Sequence, residues 1–325
     1  MSRKEGKHIN TIKEDLEALV DKRLHWTLLT LPILGIVIFT ILPLVFMICM
    51  AFTSYSKVGD HLTIFHWVGL KNFSTVLGMG NSIGKTFWSV LGWTLIWAVL
   101  ATFLNYILGM ILAIVINRKT TRIKGFWRFC FMLSAAIPQF VSLLLMRTML
   151  KDNGLINNLL VQAGLISSPL PFLTNATWAR ATVVIINLWV GIPFTMMQVT
   201  GILQNIPGEL YEAARVDGAG PVTIFFKITL PYMLFVTTPY LITTFTGNIN
   251  NFNVIYLLTA GAPVPVGATA GKTDLLVTWL YKLTVDLQYF NVGAVVGILT
   301  FVILAVVSLI TYRNTGSYKN EEGFQ

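Results

Sequence analysis

Charge is scarce in this chain, and acid is scarcer than base: 14 Asp and Glu stand against 23 Lys and Arg in 325 residues, and charged side chains make up 11% of the total. With 55% hydrophobic residues and a mean hydropathy of +0.70, too little polar surface remains to cover a soluble globule of this size. The composition predicts an integral membrane protein. Cys49 and Cys130, the two cysteines, both fall inside apolar runs, which excludes a disulfide framework. His8, His25, His61 and His66 lack metal-ligand spacing, so no zinc site is expected. All 14 acids lie outside the apolar runs. That argues against a proton- or sodium-coupled carrier, which needs ionisable or cation-ligating groups at mid-membrane depth. Nor does any Ser, His and acid grouping, or carboxylate pair, support an intramembrane enzyme.

Long apolar runs are what the chain has in abundance. Those at 28–52, 86–116, 129–146, 181–206, 228–258 and 289–312 can each cross a hydrocarbon core of roughly 30 Å. The expectation is an all-α polytopic protein with six transmembrane helices. The first run starts too late, and lacks a small-residue cleavage site, to read as a signal peptide, so a retained helix is expected. Lys and Arg are unevenly spread. Six precede the first run (Arg3, Lys4, Lys7, Lys13, Lys22, Arg23), five follow the second (Arg118, Lys119, Arg122, Lys124, Arg128), and Arg215, Lys227, Arg313 and Lys319 belong to the same side. Fifteen of the 23 thus fall on one face. The positive-inside rule predicts that both termini and the loop at 205–231 are cytoplasmic. The basic excess is therefore a topology signal and points to no nucleic acid partner.

Three units follow: a segment 1–27, a transmembrane region 28–313 with a cytoplasmic loop at 205–231, and a tail 314–325. In the first, "INTIKEDLEALVDKRLHW" sets Ile12, Leu16, Leu19, Val20 and Leu24 opposite a charged face, predicting an amphipathic helix on membrane lipid or against a partner. The external segments 53–85, 147–180 and 259–288 are too small for a classical folded domain, so capture of a soluble ligand is expected on another protein. "GMGNSIGKT" and "GATAGKT" imitate a phosphate-binding loop, but their glycine spacing is wrong and no strand precedes them. No ATP site is expected on this chain.

The loop "ELYEAARVDGAGPVTIFFKITLP" is unusual for its charge. Asn205-Ile-Pro-Gly ends one helix and can begin another. Glu209 to Val216 then makes about two turns, with acids at the end that the helix dipole favours, and Asp217-Gly218 stops it. Ala213 and Ala214 leave one face open to close approach. In the fifth run, Asn248, Asn250, Asn251 and Asn253 lie at membrane depth, where unpartnered carboxamides are costly. Helical spacing puts Asn248, Asn251 and Phe252 on one face, suited to a sugar whose hydroxyls bond the amides while its C–H face packs on a ring. The other reading is that these amides bond neighbouring helices. In the fourth run, Gly191 and Pro193 are expected to break the helix beside Trp189, Phe194 and Gln198.

"EAARVDGAGPVTIFFKITLP" resembles the cytoplasmic EAA loop of ABC-importer permeases: Glu-Ala-Ala, then Gly218, nine residues, and Ile228-x-Leu-Pro231. "NLWVGIPFTMM", "GNINNFNVIYLLTAGAP" and "GKTDLLVTWLYKL" are similar to the maltose/maltodextrin permeases of MalF type, from the second run onward. The resemblance implies a type I importer permease fold. It also implies that Glu212, Ala213, Ala214, Asp217 and Gly218 form a coupling helix seated on an ATPase subunit. The implied partners are a second, MalG-like permease, two copies of an ABC ATPase that hydrolyse Mg-ATP, and an extracytoplasmic sugar-binding protein; this chain itself would bind no cofactor. The sugar-contacting places of that family fall on Val190, Gly191, Phe194, Thr244, Gly247, Asn248 and Asn251. Phe194 replaces a tyrosine of the maltose permease and Gly247 a phenylalanine, which implies a roomier site for longer or differently linked oligosaccharides. Galacto-oligosaccharides, raffinose-type sugars and glycerol phosphate remain as alternative cargoes, and a self-contained carrier as another class.

Overall fold

The structure, a computed structural model, describes Leu24, Trp26 and residues 28–56, 66–118 and 120–313. Apart from Leu24 and Trp26, the expected amphipathic segment lies outside them, as does the tail from 314 onward. A hydrocarbon solvent offers no partner to backbone N–H and C=O groups, so each span must bond within itself, and helices follow. In chain order they are α1 (Leu28–Ala51), α2 (Lys71–Leu77), α3 (Ser82–Asn117), α4 (Lys124–Ala136), α5 (Gln139–Met149) and α6 (Leu155–Gln162). The second half holds α7 (Ala176–Gln204), α8 (Gly208–Val216), α9, α10 (Phe252–Leu258), α11 (Leu276–Tyr281) and α12 (Phe290–Arg313). Helix α9 runs from Pro221–Ile224 through a π turn, Phe225–Thr229, into Leu230–Ile249. Among the described residues five stretches are long and apolar enough to cross a bilayer, with α9 and α10 counted together as one (Pro221–Leu258), and the bent pair α4 and α5 supplies a sixth.

Helix α3 is the spine of the molecule. Its outer third packs Phe87 and Val90 against Trp279, Val295 and Val296. The middle third packs Trp93, Trp97 and Ala101 against Leu143, Val183, Ile186, Val254 and Leu258. The last third packs Tyr106, Met110 and Ala113 against Met196, Val199 and Met233. Small residues let α3 and α7 approach closely, since a methyl added at Gly109 would press on Thr195. Large apolar side chains face outward instead, Leu31, Phe39 and Phe301 among them, as a lipid solvent permits.

Three local expectations are corrected. The third run is two helices bent by 83°. Ile137, which precedes Pro138, takes extended dihedrals (φ −77°, ψ 130°), because the proline ring clashes with a helical residue before it. The fourth run is not broken: α7 continues through Pro193 for all 29 residues. Proline removes one amide donor, and packing along α3 outweighs that loss. Gly191 serves that packing, because a Cβ there would overlap the Asn105 carboxamide of α3. The fifth run does break. Asn250 leaves helical geometry, and Asn251 caps α10 by accepting the Val254 N–H at 3.2 Å. Asn248, Asn251 and Phe252 therefore share no continuous helix face; a short amide that bonds its own backbone competes with the helix ladder.

The loop between α10 and α11 is held by a buried ion pair. Asp274 is fully buried and accepts from Lys282 Nζ at 2.6 Å, the Gly271 N–H at 2.6 Å and Thr278 Oγ1 at 2.9 Å. Three donors on one carboxylate meet the need of a buried charge for complete pairing.

Candidate functional site

Helices α3, α7 and α9, with the α4–α5 bend, enclose a cavity of about 420 Å³. Its wall includes Asn105, Ser134, Gln139, Asn187, Phe194, Tyr240, Thr244 and Asn248. No charged side chain among the described residues lines it. A cavity whose polar groups are only amides and hydroxyls can donate and accept hydrogen bonds but cannot balance a net charge. It suits an uncharged, hydroxyl-rich ligand, and Trp189 and Phe194 add apolar faces for the C–H side of such a molecule.

Local structure explains the placement of the amides. A π turn at Leu100–Leu104 re-aims α3, as such turns often do at functional positions. It brings Thr102 to Asn248, whose Nδ2 donates to Thr102 Oγ1 at 3.0 Å. Trp97, one turn earlier, donates its indole N–H to the Asn248 carbonyl at 3.0 Å. The Asn251 amide reaches Asn187 Oδ1 and Asn248 Oδ1, each at 3.5 Å. These two contacts stand at the outer limit of hydrogen bonding, so a ligand hydroxyl at ordinary distance can displace them at little cost. Asn105 sits beside Thr195, which also contacts the Tyr240 hydroxyl at 3.2 Å.

Of the seven expected contact positions, Val190, Gly191, Phe194, Thr244 and Asn248 line the cavity. Gly247 is exposed with open space where a Cβ would stand, and Asn251 joins through its amide bonds to Asn187 and Asn248. The amides do bond neighbouring helices, as the alternative reading had it, yet Asn248 still faces the cavity. Asn105, Asn187, Thr195 and Tyr240 were missed. The first two had a signal: each is a carboxamide at membrane depth, subject to the rule that singled out Asn248. Thr102 had none, because its position depends on the π turn.

A second candidate surface lies on α8. Glu212, Ala213, Asp217 and Gly218 are exposed and Ala214 is half-buried. The helix closes with a Schellman motif: the Ala219 N–H bonds the Ala214 carbonyl at 2.8 Å and the Gly218 N–H bonds that of Arg215 at 3.1 Å. Gly218 adopts φ +77°, a conformation that costs other residues energy. Val216, 87% exposed at the tip, leaves an apolar side chain uncovered. Behind it, the Tyr211 hydroxyl meets Thr229 Oγ1 at 3.2 Å, and Tyr211 packs on the cluster of α3, α7 and α9. Tyr211 thus ties α8 to three spans.

Comparison with known proteins gives the family and the fold of the chain. The family model for the binding-protein-dependent transport system inner membrane component matches residues 105–315. The galactooligosaccharides transport system permease protein GanP of Bacillus subtilis is 36% identical over 98% of this chain and 76% of its own length. The maltodextrin transport system permease protein MdxF of the same organism is 36% identical over 98% of this chain and 75% of its own. The maltose/maltodextrin permease protein MalF of Escherichia coli is 35% identical over 76% of this chain, which spans about half of it (49%). In fold, the chain superposes on a bacterial ABC transporter that imports the acidic polysaccharide alginate, with TM-score 0.70, 23% identity, and coverage of 92% of this chain and 97% of that one. A second structure of a bacterial alginate ABC transporter, in complex with a pentasaccharide-bound periplasmic protein, gives TM-score 0.73 at 23% identity, covering 91% and 94%. The chain is a multi-pass membrane protein of the binding-protein-dependent transport system inner membrane component family.

Proposed function

We propose that this chain is the membrane-spanning subunit of an ATP-driven oligosaccharide importer and that its cargo is a maltodextrin. The carrying observation is the neutral cavity of amides, hydroxyls and aromatic rings around Asn248. It supports a sugar and speaks against glycerol phosphate, because no cation in the wall would balance the phosphate charge. Cargo enters from an extracytoplasmic sugar-binding protein, and both termini are cytoplasmic. A second permease completes the pathway. Two ATPase subunits hold and hydrolyse Mg-ATP, so this chain carries no catalytic residue and no cofactor. Each ATPase receives one permease's coupling helix, here Glu212, Ala213, Ala214, Asp217 and Gly218 of α8. Closure of the ATPases pushes α8, and the Tyr211 contact passes the motion to α3, α7 and α9, which form the cavity. The sugar site opens alternately to each side.

A galacto-oligosaccharide is the second reading, favoured by a relative with that named cargo at the same 36% identity. Affinity purification from the native membrane tests both. Recovery of an ATPase, a second permease and a binding protein retaining an α-glucan supports the first reading; a retained β-galactoside moves the assignment to the second. Recovery of the chain alone, competent for uptake without ATP, would overturn the class.

A further inference from the structure

A second cavity, of about 450 Å³, opens beside the first turn of α3, the start of α7 and the loop before α11. It shares no lining residue with the cavity around Asn248, and its chemistry is opposite. Lys85, Arg180 and Lys272 converge on it from those three elements. Arg180 is preorganised: its guanidinium lies 4.5 Å over the Trp93 ring, and its Nε–H donates to the Lys272 carbonyl at 2.8 Å. The ring itself is fixed, because Trp93 Nε1 donates to the Thr273 carbonyl at 3.2 Å. With Nε and the guanidinium face engaged, the two terminal nitrogens remain without a hydrogen-bond partner among the described residues. A planar fork held in this way matches a carboxylate in bidentate fashion.

The neighbouring charges reinforce that preference. Lys85 and Lys272 are exposed and form no ion pair among the described residues. Asp274, the acid in the wall, has both oxygens committed to Thr278, Gly271 and Lys282, so it neutralises none of the three. Under the proposed function this face is external and carries only eight of the 23 basic residues. Three of them gather at one cavity on the face where cations are sparse.

We propose that this cavity receives an aspartate or glutamate side chain of the external sugar-binding protein, clamped by Arg180 with Lys85 and Lys272 at the rim. A free anionic cargo fits less well, since the neutral cavity beyond it offers no place for a charge. The same helices connect the two cavities. Helix α3 carries Trp93 under Arg180 and, one turn on, Trp97 on Asn248, while α7 carries both Arg180 and Asn187. Docking at the outer cavity thus bears directly on the elements that hold the sugar site.

This inference rests on the proposed function. The test uses the assembled importer in nanodiscs and the sugar-binding protein that co-purifies with it. A zero-length carbodiimide cross-linker joins lysine to carboxylate, and mass spectrometry maps the product. Cross-links from Lys85 or Lys272 to one acidic residue of the binding protein are expected. Arg180→Gln should weaken its binding roughly tenfold, and the exposed pair Lys85→Gln with Lys272→Gln should flatten its dependence on salt. Normal affinity and salt dependence in all variants would overturn the site while leaving the proposed function intact. Phosphatidylglycerol retained by the wild type and lost in Arg180→Gln, with unchanged affinity for the binding protein, would give the cavity to a lipid and overturn it too. If the wild-type importer recruits no binding protein, the proposed function fails and the site fails with it.

Discussion

Gly218 offers the sharpest test of how α8 works. Its φ of +77° lies in the left-handed region, where an L residue other than asparagine or aspartate loses roughly 1–2 kcal/mol. A Cβ at this position meets nothing within 4 Å inside the chain. Alanine therefore carries only the backbone cost of about 1 kcal/mol, asparagine less, and valine the most because of its branched Cβ. That cost falls on the two closing bonds from Gly218 and Ala219, so the last turn of α8 frays while the spans stay folded. In proteoliposomes holding the complete importer, coupling is read as sugar taken up per ATP hydrolysed. The expected order is glycine, then Gly218→Asn, then Gly218→Ala, then Gly218→Val, with the last retaining under a tenth of wild-type uptake and inserting normally. Wild-type uptake in Gly218→Val would refute the reasoning outright. If Gly218→Ala instead outperforms Gly218→Asn, bulk against a partner governs the position and the backbone argument is wrong.

The other predictions concern the cavity and the buried pair. Asn248→Ala removes the bond to Thr102 and a ligand contact, together about 1–2 kcal/mol, so transport efficiency in initial-rate uptake should fall about tenfold with assembly intact; Asn251→Ala, whose amide contacts are long, should lose less. Normal kinetics in both would return these amides to a purely structural role. Gly247→Phe enters open space and should leave thermal stability unchanged while shifting uptake in competition assays toward shorter sugars. Asp274→Asn leaves Lys282 facing a neutral amide in a largely buried setting, which costs about 3 kcal/mol; a fluorescence melt in detergent should register a clear loss of stability, and an unchanged melt would mean the pair is dispensable.

The spans and α8 were legible in the sequence because their causes are local. Apolar length meets the bilayer requirement directly, and the acid-first helix closed by Asp217-Gly218 carries its own stop signal. Proline was read less well, in both directions. Pro138 bends a run whose apolar length had argued for one helix, whereas Pro193 leaves α7 continuous because α3 packs along it through Gly191 and Gly109. A proline disfavours helical geometry at the residue before it in each case, and the packing partner decides whether the helix continues, which a single sequence does not display. The break after Ile249 had a visible cause, a run of asparagines able to cap their own backbone, but apolar continuity was given more weight. Asn105 and Asn187 could have been found by the depth rule alone, whereas Thr102 depends on a π turn that leaves no mark in composition.

The central claim is that this chain passes an uncharged oligosaccharide through the membrane on ATP supplied by its partners. Uptake of radiolabelled maltotriose into proteoliposomes, with the purified importer and its binding protein, tests it most directly when ATP and the binding protein are each omitted in turn. The account predicts accumulation only when both are present, and its loss in Gly218→Val. Accumulation without ATP, or by this chain alone, would contradict it.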